Sequence, residues 1–338
     1  MPSPRPIQND DLDQVARFLR RVFENESSSF ADVGMLDWKY LHPRPGWTGS
    51  RGFLIETNDQ IVAYGGIVPA TFRLSGGGTV SSVAVIDWAA DRKAPGAGVV
   101  LIKSLLEKAG NIFSIGGSPT TRQILPKIGF HDSGNELLVY ARWLRPWREF
   151  WLRPKDFRAA LRLAHGMADS FRRKPLPAEG WQCVAVSEFA PSLQALLDRT
   201  KLSLTFCQRT VGELNYMLRC PSVRMNGYLL QRGGETAGYF ILAKTGWEAR
   251  IVDILVDSAH PEDWRSAYAV ASLAAMREPE VCRIRAWATA PVFSRALLHN
   301  GFWLQQKLPI LVWDPKNALA NAFPVNLQMF DGDFAYLT

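Results

Sequence analysis

Long apolar runs, clustered cysteines and paired histidines are all scarce in this 338-residue sequence. No run approaches the roughly 18 apolar residues that would span a bilayer. The four cysteines are scattered and form no Cys-x-x-Cys pair, which is typical of a protein from a reducing compartment. The five histidines include no pair at metal-ligand spacing, so we expect no metal. The N-terminus lacks an apolar h-region, and a cytoplasmic protein is predicted.

Charged residues are also limited. They make up 21% of the sequence against 47% hydrophobic residues, which is typical of a soluble globular protein and excludes a disordered one. The formal net charge of +7 is compatible with an anionic ligand. A chain of 338 residues is long for one compact core and suits two domains of ordinary size.

The most informative stretch is residues 83–110. It begins with an apolar run of strand length, continues as a basic glycine-rich loop, and ends in a segment with apolar residues at helical spacing. This order places backbone N–H groups at a helix N-terminus, where the partial positive charge suits a phosphate or pyrophosphate. The loop has neither the Gly-Lys-Ser/Thr of a Walker loop nor Gly-x-Gly-x-x-Gly.

The loop Lys93-Ala94-Pro95-Gly96-Ala97-Gly98 resembles the acyl-CoA signature of the GCN5-related N-acetyltransferases (GNATs), Arg/Gln-x-x-Gly-x-Gly/Ala. A second mark of that family, Ile128-Gly129-Phe130, follows at the expected distance. The family's order of helices and strands is matched over about residues 1–143. The resemblance implies an α/β fold with a mixed sheet, and acetyl-CoA or another acyl-CoA as co-substrate.

The resemblance also implies where the co-substrate binds. Backbone groups of Trp88, Ala89 and Ala90 would pair with the pantetheine arm. With Arg92 assisting, the pyrophosphate would lie on the loop residues Lys93, Ala94, Gly96, Ala97 and Gly98. Pro95 removes an N–H that the family's loop usually offers. The acceptor is expected to be an amine of a small molecule or sugar.

Asp87 is the candidate general base, because it lies on the central strand beside the expected thioester. The alternative is a structural role, since Asp253 holds the same place in a second copy of the pattern. Trp38 and Tyr40 lie on a short helix that walls the acceptor pocket in the family. Core packing is the alternative for both.

The acid that protonates the leaving thiolate is unassigned. In many GNATs it is a tyrosine, and here Leu125 holds that position. A water, or a hydroxyl in the neighbouring turn (Ser118, Thr120 or Thr121), would have to serve instead.

The second half of the chain repeats landmarks of the first. The recurring pairs are Asp87 and Asp253, Asp91 and Asp257, Pro95 and Pro261, and Gly129-Phe130 and Gly301-Phe302. This predicts two tandem GNAT-like domains, residues 1–143 and 179–338, joined by a linker over 144–178. In the second copy Glu262-Asp263-Trp264 replaces the glycine loop, and its carboxylates would repel a pyrophosphate. One working site, in the first domain, is therefore expected.

Residues 142–174, around the linker, are rich in arginine and aromatic side chains. Such a segment can lie on an anionic membrane surface, or pack its aromatics on both domains while its arginines face water. Nucleic acid is not expected as a partner, because no binding motif accompanies the charge. The sequence does not predict the oligomeric state.

The function expected from these features is CoA-dependent N-acyl transfer, with acetyl as the first choice of acyl group. The alternative is a non-catalytic GNAT-fold binding or scaffold protein, in one version at a membrane surface. Pro95 and Leu125 are the residues that favour this alternative.

Overall fold

The computed structural model describes residues 3–24, 31–148, 174–200, 202–319 and 322–336. The helices in this part of the chain are α1 (Leu12–Val22), α2 (Val33–Tyr40), α3 (Ala97–Lys108), α4 (Pro119–Ile124), α5 (Leu193–Arg199), α6 (Val211–Leu218), α7 (Pro261–Met276) and α8 (Pro291–His299). The strands are β1 (Arg5–Pro6), β2 (Gly52–Thr57), β3 (Gln60–Arg73), β4 (Thr79–Ala90), β5 (Ile112–Ile115), β6 (His131–Trp143), β7 (Trp181–Val186), β8 (Thr205–Cys207), β9 (Arg224–Arg232), β10 (Glu235–Thr245), β11 (Glu248–Val256), β12 (Arg283–Ala288), β13 (Trp303–Trp313) and β14 (Val325–Asn326).

The described residues bear on two of the sequence predictions, the linker and the absence of a membrane span. Most of the predicted linker, residues 149–173, lies outside the described residues. Among the helices that the structure does describe, none combines the length and the apolar character needed to cross a bilayer.

The strands form one mixed sheet, which confirms the predicted α/β class. Their order is β1-β2-β3-β4-β5-β13-β6-β12-β11-β10-β9-β7, and β8 joins β3 to β14 beside this path. β4 runs parallel to β5 and β11 runs parallel to β12. Each of these parallel pairs is connected through a helix, α3 or α7, as parallel strands require.

The two halves share an order of elements but exchange their last strands. Each half has a long strand, a helix, a short strand, a helix and a final strand. β13 lies beside β5, and β6 lies beside β12. Because β6 and β13 also pair with each other, the sheet is continuous between the halves.

Buried apolar side chains form a large core that runs through both halves and a smaller one between α3 and the sheet. α2 begins after Asp32, whose Oδ1 accepts the N–H of Gly34 at 2.9 Å. This helix lies directly on the sheet. Gly66 of β3 is required there, since a Cβ at that position would overlap the ring of Tyr40.

After β13 the chain returns to β8, a strand of the second half that pairs with β3 of the first half. β14 pairs with β8, and a 3₁₀ turn follows at Met329–Asp331. We call residues 329–336 the C-terminal segment. Its Phe330 and Tyr336 are buried in the common core, so the segment is packed between the two halves.

Candidate active site

A cavity of about 360 Å³ opens where β4 and β5 diverge. The two strands pair only at Val83 with Ile112 and at Ala84 with Phe113. Beyond Ala84, the edge of β4 facing β5 therefore has no strand partner among the described residues. The cavity is lined by residues 84–88, by residues 332–334, and by Phe23, Ser114, Ile115, Gly117, Ser118 and Thr121.

Asp87 lies in a bulge of β4 that forms part of this lining. Between the pairs Ile86–Gly66 and Ala89–Tyr64, β4 has one residue more than β3. Asp87 has a left-handed φ of +49° at this point, which aspartate tolerates better than most residues. The bulge takes part of the β4 backbone out of the ladder with β3.

Two side chains of α2 hold the Asp87 carboxylate. Lys39 Nζ lies 2.5 Å from Asp87 Oδ2, and the Tyr40 hydroxyl donates to the same oxygen. The Lys39 side chain is 1% exposed and that of Asp87 is 4% exposed. Burial raises the pKa of Tyr40, and the Asp87 charge adds to this effect, so the hydroxyl stays a donor.

A second carboxylate, Asp333, reaches the cavity from the C-terminal segment. Its Oδ2 lies 3.9 Å from Lys39 Nζ, and its side chain is 10% exposed. Burial raises the pKa of Asp333 to about 7; Lys39 opposes this shift and the neighbouring Asp87 carboxylate adds to it. The Asp333 carboxyl group therefore gains or loses its proton near neutral pH.

The second half contains a matching cluster with a different environment. Asp253, the counterpart of Asp87, accepts from Arg209 Nε at 2.7 Å and from the Tyr239 hydroxyl at 3.0 Å. Arg209 Nη2 also donates to Asp331 Oδ1 at 2.7 Å. The side chains of these two ion pairs are at most 3% exposed. One guanidinium thus binds both carboxylates in a fixed fork and ties the C-terminal segment to the second half.

The residues expected to pair with pantetheine, Trp88, Ala89 and Ala90, form the end of β4. Ala89 and Ala90 pair with β3, and among the described residues no strand pairs with their other edge. Trp88 lines the cavity, and its Nε1 donates to the carbonyl of Gly98 at 3.0 Å. The strand end and the start of α3 are thereby fixed to each other.

The basic loop after β4 is shaped by Asp91. Its Oδ1 accepts the backbone N–H of Lys93 at 2.9 Å. The Arg92 side chain is 95% exposed and lies 3.6 Å from Glu24. Arg92 and Lys93, the two basic residues expected at the pyrophosphate, thus lie in a loop that is held by a side chain–backbone hydrogen bond.

α3 begins after Gly96, whose φ of +87° favours glycine. The Ala94 carbonyl accepts the N–H of Ala97 at 3.2 Å and closes the turn. Gly98 is closely packed, since a Cβ there would lie 3.1 Å from Ala90 Cβ and 3.3 Å from Trp88 Nε1. The N-terminus of α3 therefore lies against the end of β4, beside the cavity.

Trp38, expected in the acceptor pocket, lies at the contact between the halves. Its ring stacks on Tyr216 at 4.6 Å and meets Tyr336 edge-on at 5.6 Å. Trp38 is not among the described residues that line the cavity. Tyr40 reaches the site through its hydrogen bond to Asp87.

The hydroxyls considered for the leaving group differ in position. Ser118 and Thr121 line the cavity, and their oxygens are 3.0 Å apart. Thr120 is exposed and is not part of the described lining. Leu125 is buried in the core under α3. The structure thus brings one pair of hydroxyls to the cavity.

Sequence reasoning missed Lys39 and Asp333. A signal existed for Lys39, which lies between Trp38 and Tyr40 on a short helix yet is almost fully buried. No local signal marks Asp333, because its partners come from the other end of the chain.

No group of three or more histidine, cysteine or acidic residues among the described residues could hold a metal.

No protein-family profile and no curated protein matches the chain. Its structure is similar to that of a GCN5-related N-acetyltransferase from Anabaena variabilis, with a TM-score of 0.60 at 14% identity over 92% of this chain and 72% of that one. A GCN5-related N-acetyltransferase from Kribbella flavida gives 0.57 at 13% identity over 91% and 71%. Saccharomyces cerevisiae N-myristoyltransferase with bound myristoyl-CoA gives 0.60 at 12% identity over 92% and 80%. The chain therefore has the fold of the GCN5-related N-acetyltransferase (GNAT) superfamily.

Proposed function

We propose that this protein is a CoA-dependent N-acyltransferase that moves an acyl group, acetyl in the first instance, to an amine of a small molecule or sugar. The observation that carries the proposal is the Asp87–Asp333 carboxylate pair in the cavity between β4 and β5. A carboxyl group with a pKa near 7 suits a general base at neutral pH. The GNAT fold supports the choice of acyl-CoA as donor.

The acyl-CoA is proposed to lie along the free edge of β4. Its pantetheine arm pairs with the backbone of residues 88–90, and its pyrophosphate lies at the N-terminus of α3. Lys93 and Arg92 add positive charge at the entrance.

The acceptor amine arrives as an ammonium ion, since an ordinary primary amine is protonated at neutral pH. The ionised Asp333 takes a proton from it and leaves a lone pair free to attack. Lys39 and Tyr40 donate to the Asp87 carboxylate and hold it in place beside Asp333. Asp87 is thus assigned to orienting and tuning the base, and Asp333 to accepting the proton.

Acyl transfer then follows in two bond changes. The amine nitrogen forms a bond to the thioester carbonyl carbon, and an oxyanion develops. Backbone N–H groups of the bulge at Asp87 and Trp88 are proposed to bind this oxyanion. The oxyanion collapses and re-forms the carbonyl, and the C–S bond breaks. The second proton of the attacking nitrogen passes, through water or the Ser118–Thr121 hydroxyl pair, to the CoA thiolate, and Asp333 returns its proton to solvent.

We assign no second active site to the residues 179–338 that we propose as the second domain. There Asp253 is bound by Arg209, and α7 begins with Glu262 and Asp263 in its first turn. Asp263 accepts from the Ser258 hydroxyl at 2.6 Å, so its carboxylate lies where a pyrophosphate would need a donor. This half instead supplies Asp333 and, with Gly332 and Phe334, part of the cavity wall.

The alternative function is a GNAT-fold binding or scaffold protein without turnover, in one version at a membrane surface. Pro95 in the loop and the buried Leu125 favour it. Of the basic segment 142–174, the described Arg145 donates to the backbone carbonyl of Met276 at 2.7 Å, near the end of α7. That contact suits a structural role for this arginine.

Calorimetric titration of acetyl-CoA, followed by mass detection of N-acetylated amine, separates the two functions. We expect one acetyl-CoA per chain and product from the wild type. Gly96→Asp should lose binding by more than tenfold, because it places a negative charge at the pyrophosphate position. Gly96→Asn is the matched control, since both residues tolerate a left-handed φ. Binding without product from any amine would support the scaffold.

A further inference from the structure

The charge of the cavity limits which amines can enter it. Among the described lining residues, the ionisable side chains are Asp87 and Asp333, and there is no lysine, arginine or histidine. Lys39, which the described residues place against both carboxylates, forms an ion pair with Asp87, and its side chain is 1% exposed. An ammonium ion is therefore attracted to this cavity, and an acidic group on the same molecule is repelled.

The walls of the cavity are largely apolar. Aromatic rings of Phe23, Trp88 and Phe334 line it together with aliphatic side chains. Phe23 is 43% exposed and forms an apolar rim. The Ser118 and Thr121 hydroxyls are engaged with each other, and the third lining hydroxyl belongs to Ser114, a residue that is 6% exposed. Such walls bind a hydrocarbon or aromatic skeleton better than one that carries many hydroxyls.

We infer that the acceptor is a cationic amine on an apolar or aromatic skeleton, with no carboxylate or phosphate next to the amine. This inference rests on the proposed function and narrows its substrate class. The α-carboxylate of an amino acid would come within several ångströms of Asp87 and Asp333 when its nitrogen reaches them. At that distance in a partly buried site, one like-charge contact weakens binding by at least about 30-fold.

Three matched probes test this inference: phenethylamine, phenylalanine and phenylalaninamide. The amide keeps the size of the amino acid and removes its negative charge. Binding is measured by saturation-transfer NMR in the presence of CoA, and turnover as kcat/KM with acetyl-CoA. We expect both the affinity and the kcat/KM for phenethylamine to exceed those for phenylalanine by at least about 30-fold. The values for phenylalaninamide should be close to those for phenethylamine.

A rim variant adds an internal control. Phe23→Arg places a cation at the mouth of the cavity. It should raise the affinity and kcat/KM for phenylalanine relative to phenethylamine, whereas Phe23→Leu should not. Equal or better use of phenylalanine by the wild type, or no binding of any probe, would overturn the inference. Binding in the expected order without product would preserve the inference about the cavity and count against the acyltransferase function.

Discussion

Replacing Asp333 with asparagine should stabilise the protein at alkaline pH. The wild-type carboxyl group has a pKa raised from 3.8 to about 7, first of all by burial. The folded state therefore binds more protons than the unfolded state between these values, and stability falls as pH rises through that window. Asparagine has the shape of the protonated acid and cannot ionise, so the variant lacks this loss.

The shift of about three pKa units sets the scale. Each unit corresponds to about 1.4 kcal/mol, so the full effect is about 4 kcal/mol. Because the Asp333 side chain keeps some contact with solvent, at 10% exposed, we expect a smaller effect of about 1–3 kcal/mol at pH 8 and almost no difference at pH 4. A buried functional group that costs stability in this way is typical of an active site.

Urea unfolding of both proteins at pH 4, 6 and 8 measures the effect. The free energy of unfolding of Asp333→Asn should exceed that of the wild type by an amount that grows steadily with pH. Asp331→Asn is the matched control from the same segment: it weakens the hydrogen bond to Arg209 and should lower stability at every pH. A variant Asp333→Asn that is no more stable than the wild type at pH 8 would refute the reasoning.

Three further outcomes follow from the same contacts. Lys39→Gln should lower stability by about 3–5 kcal/mol, because it leaves a buried carboxylate unpaired, and should move the pH–rate profile to higher pH, since Lys39 lowers the pKa of Asp333. Arg209→Met should lower the free energy of unfolding in urea by a similar amount. It should also reduce the rate of acetyl transfer more than the affinity for acetyl-CoA, because it releases the C-terminal segment. Gly98→Ala should weaken acetyl-CoA binding in calorimetric titration, since its Cβ would lie 3.1 Å from the Ala90 side chain at the end of β4.

The parts of the fold that depend on local patterns could be predicted from the sequence. The strand, glycine loop and helix around Gly96 are present, and so is the hairpin between β2 and β3. Asp87 was singled out because a strand position next to a signature loop is local information. The left-handed φ at Gly96 explains why that loop has a recognisable sequence.

The exchange of β6 and β13 could not be predicted. Both strands end a half of the chain in a similar pattern, and alternation of side chains does not specify which strand lies alongside. The proximity of Asp87 and Asp333 could not be predicted either. A contact between residues so distant in sequence depends on how the C-terminal segment packs, as does the position of Trp38 against Tyr216.

The most direct test of the central claim is the pH dependence of acetyl transfer by the wild type, Asp333→Asn and Asp331→Asn. The claim is that Asp333 accepts the proton of the acceptor amine. The wild-type kcat/KM should rise with pH through about 7 and then level off. Asp333→Asn should lose about 100-fold or more and show no step near pH 7, whereas Asp331→Asn should keep the step. A wild-type rate and profile retained by Asp333→Asn would contradict the account.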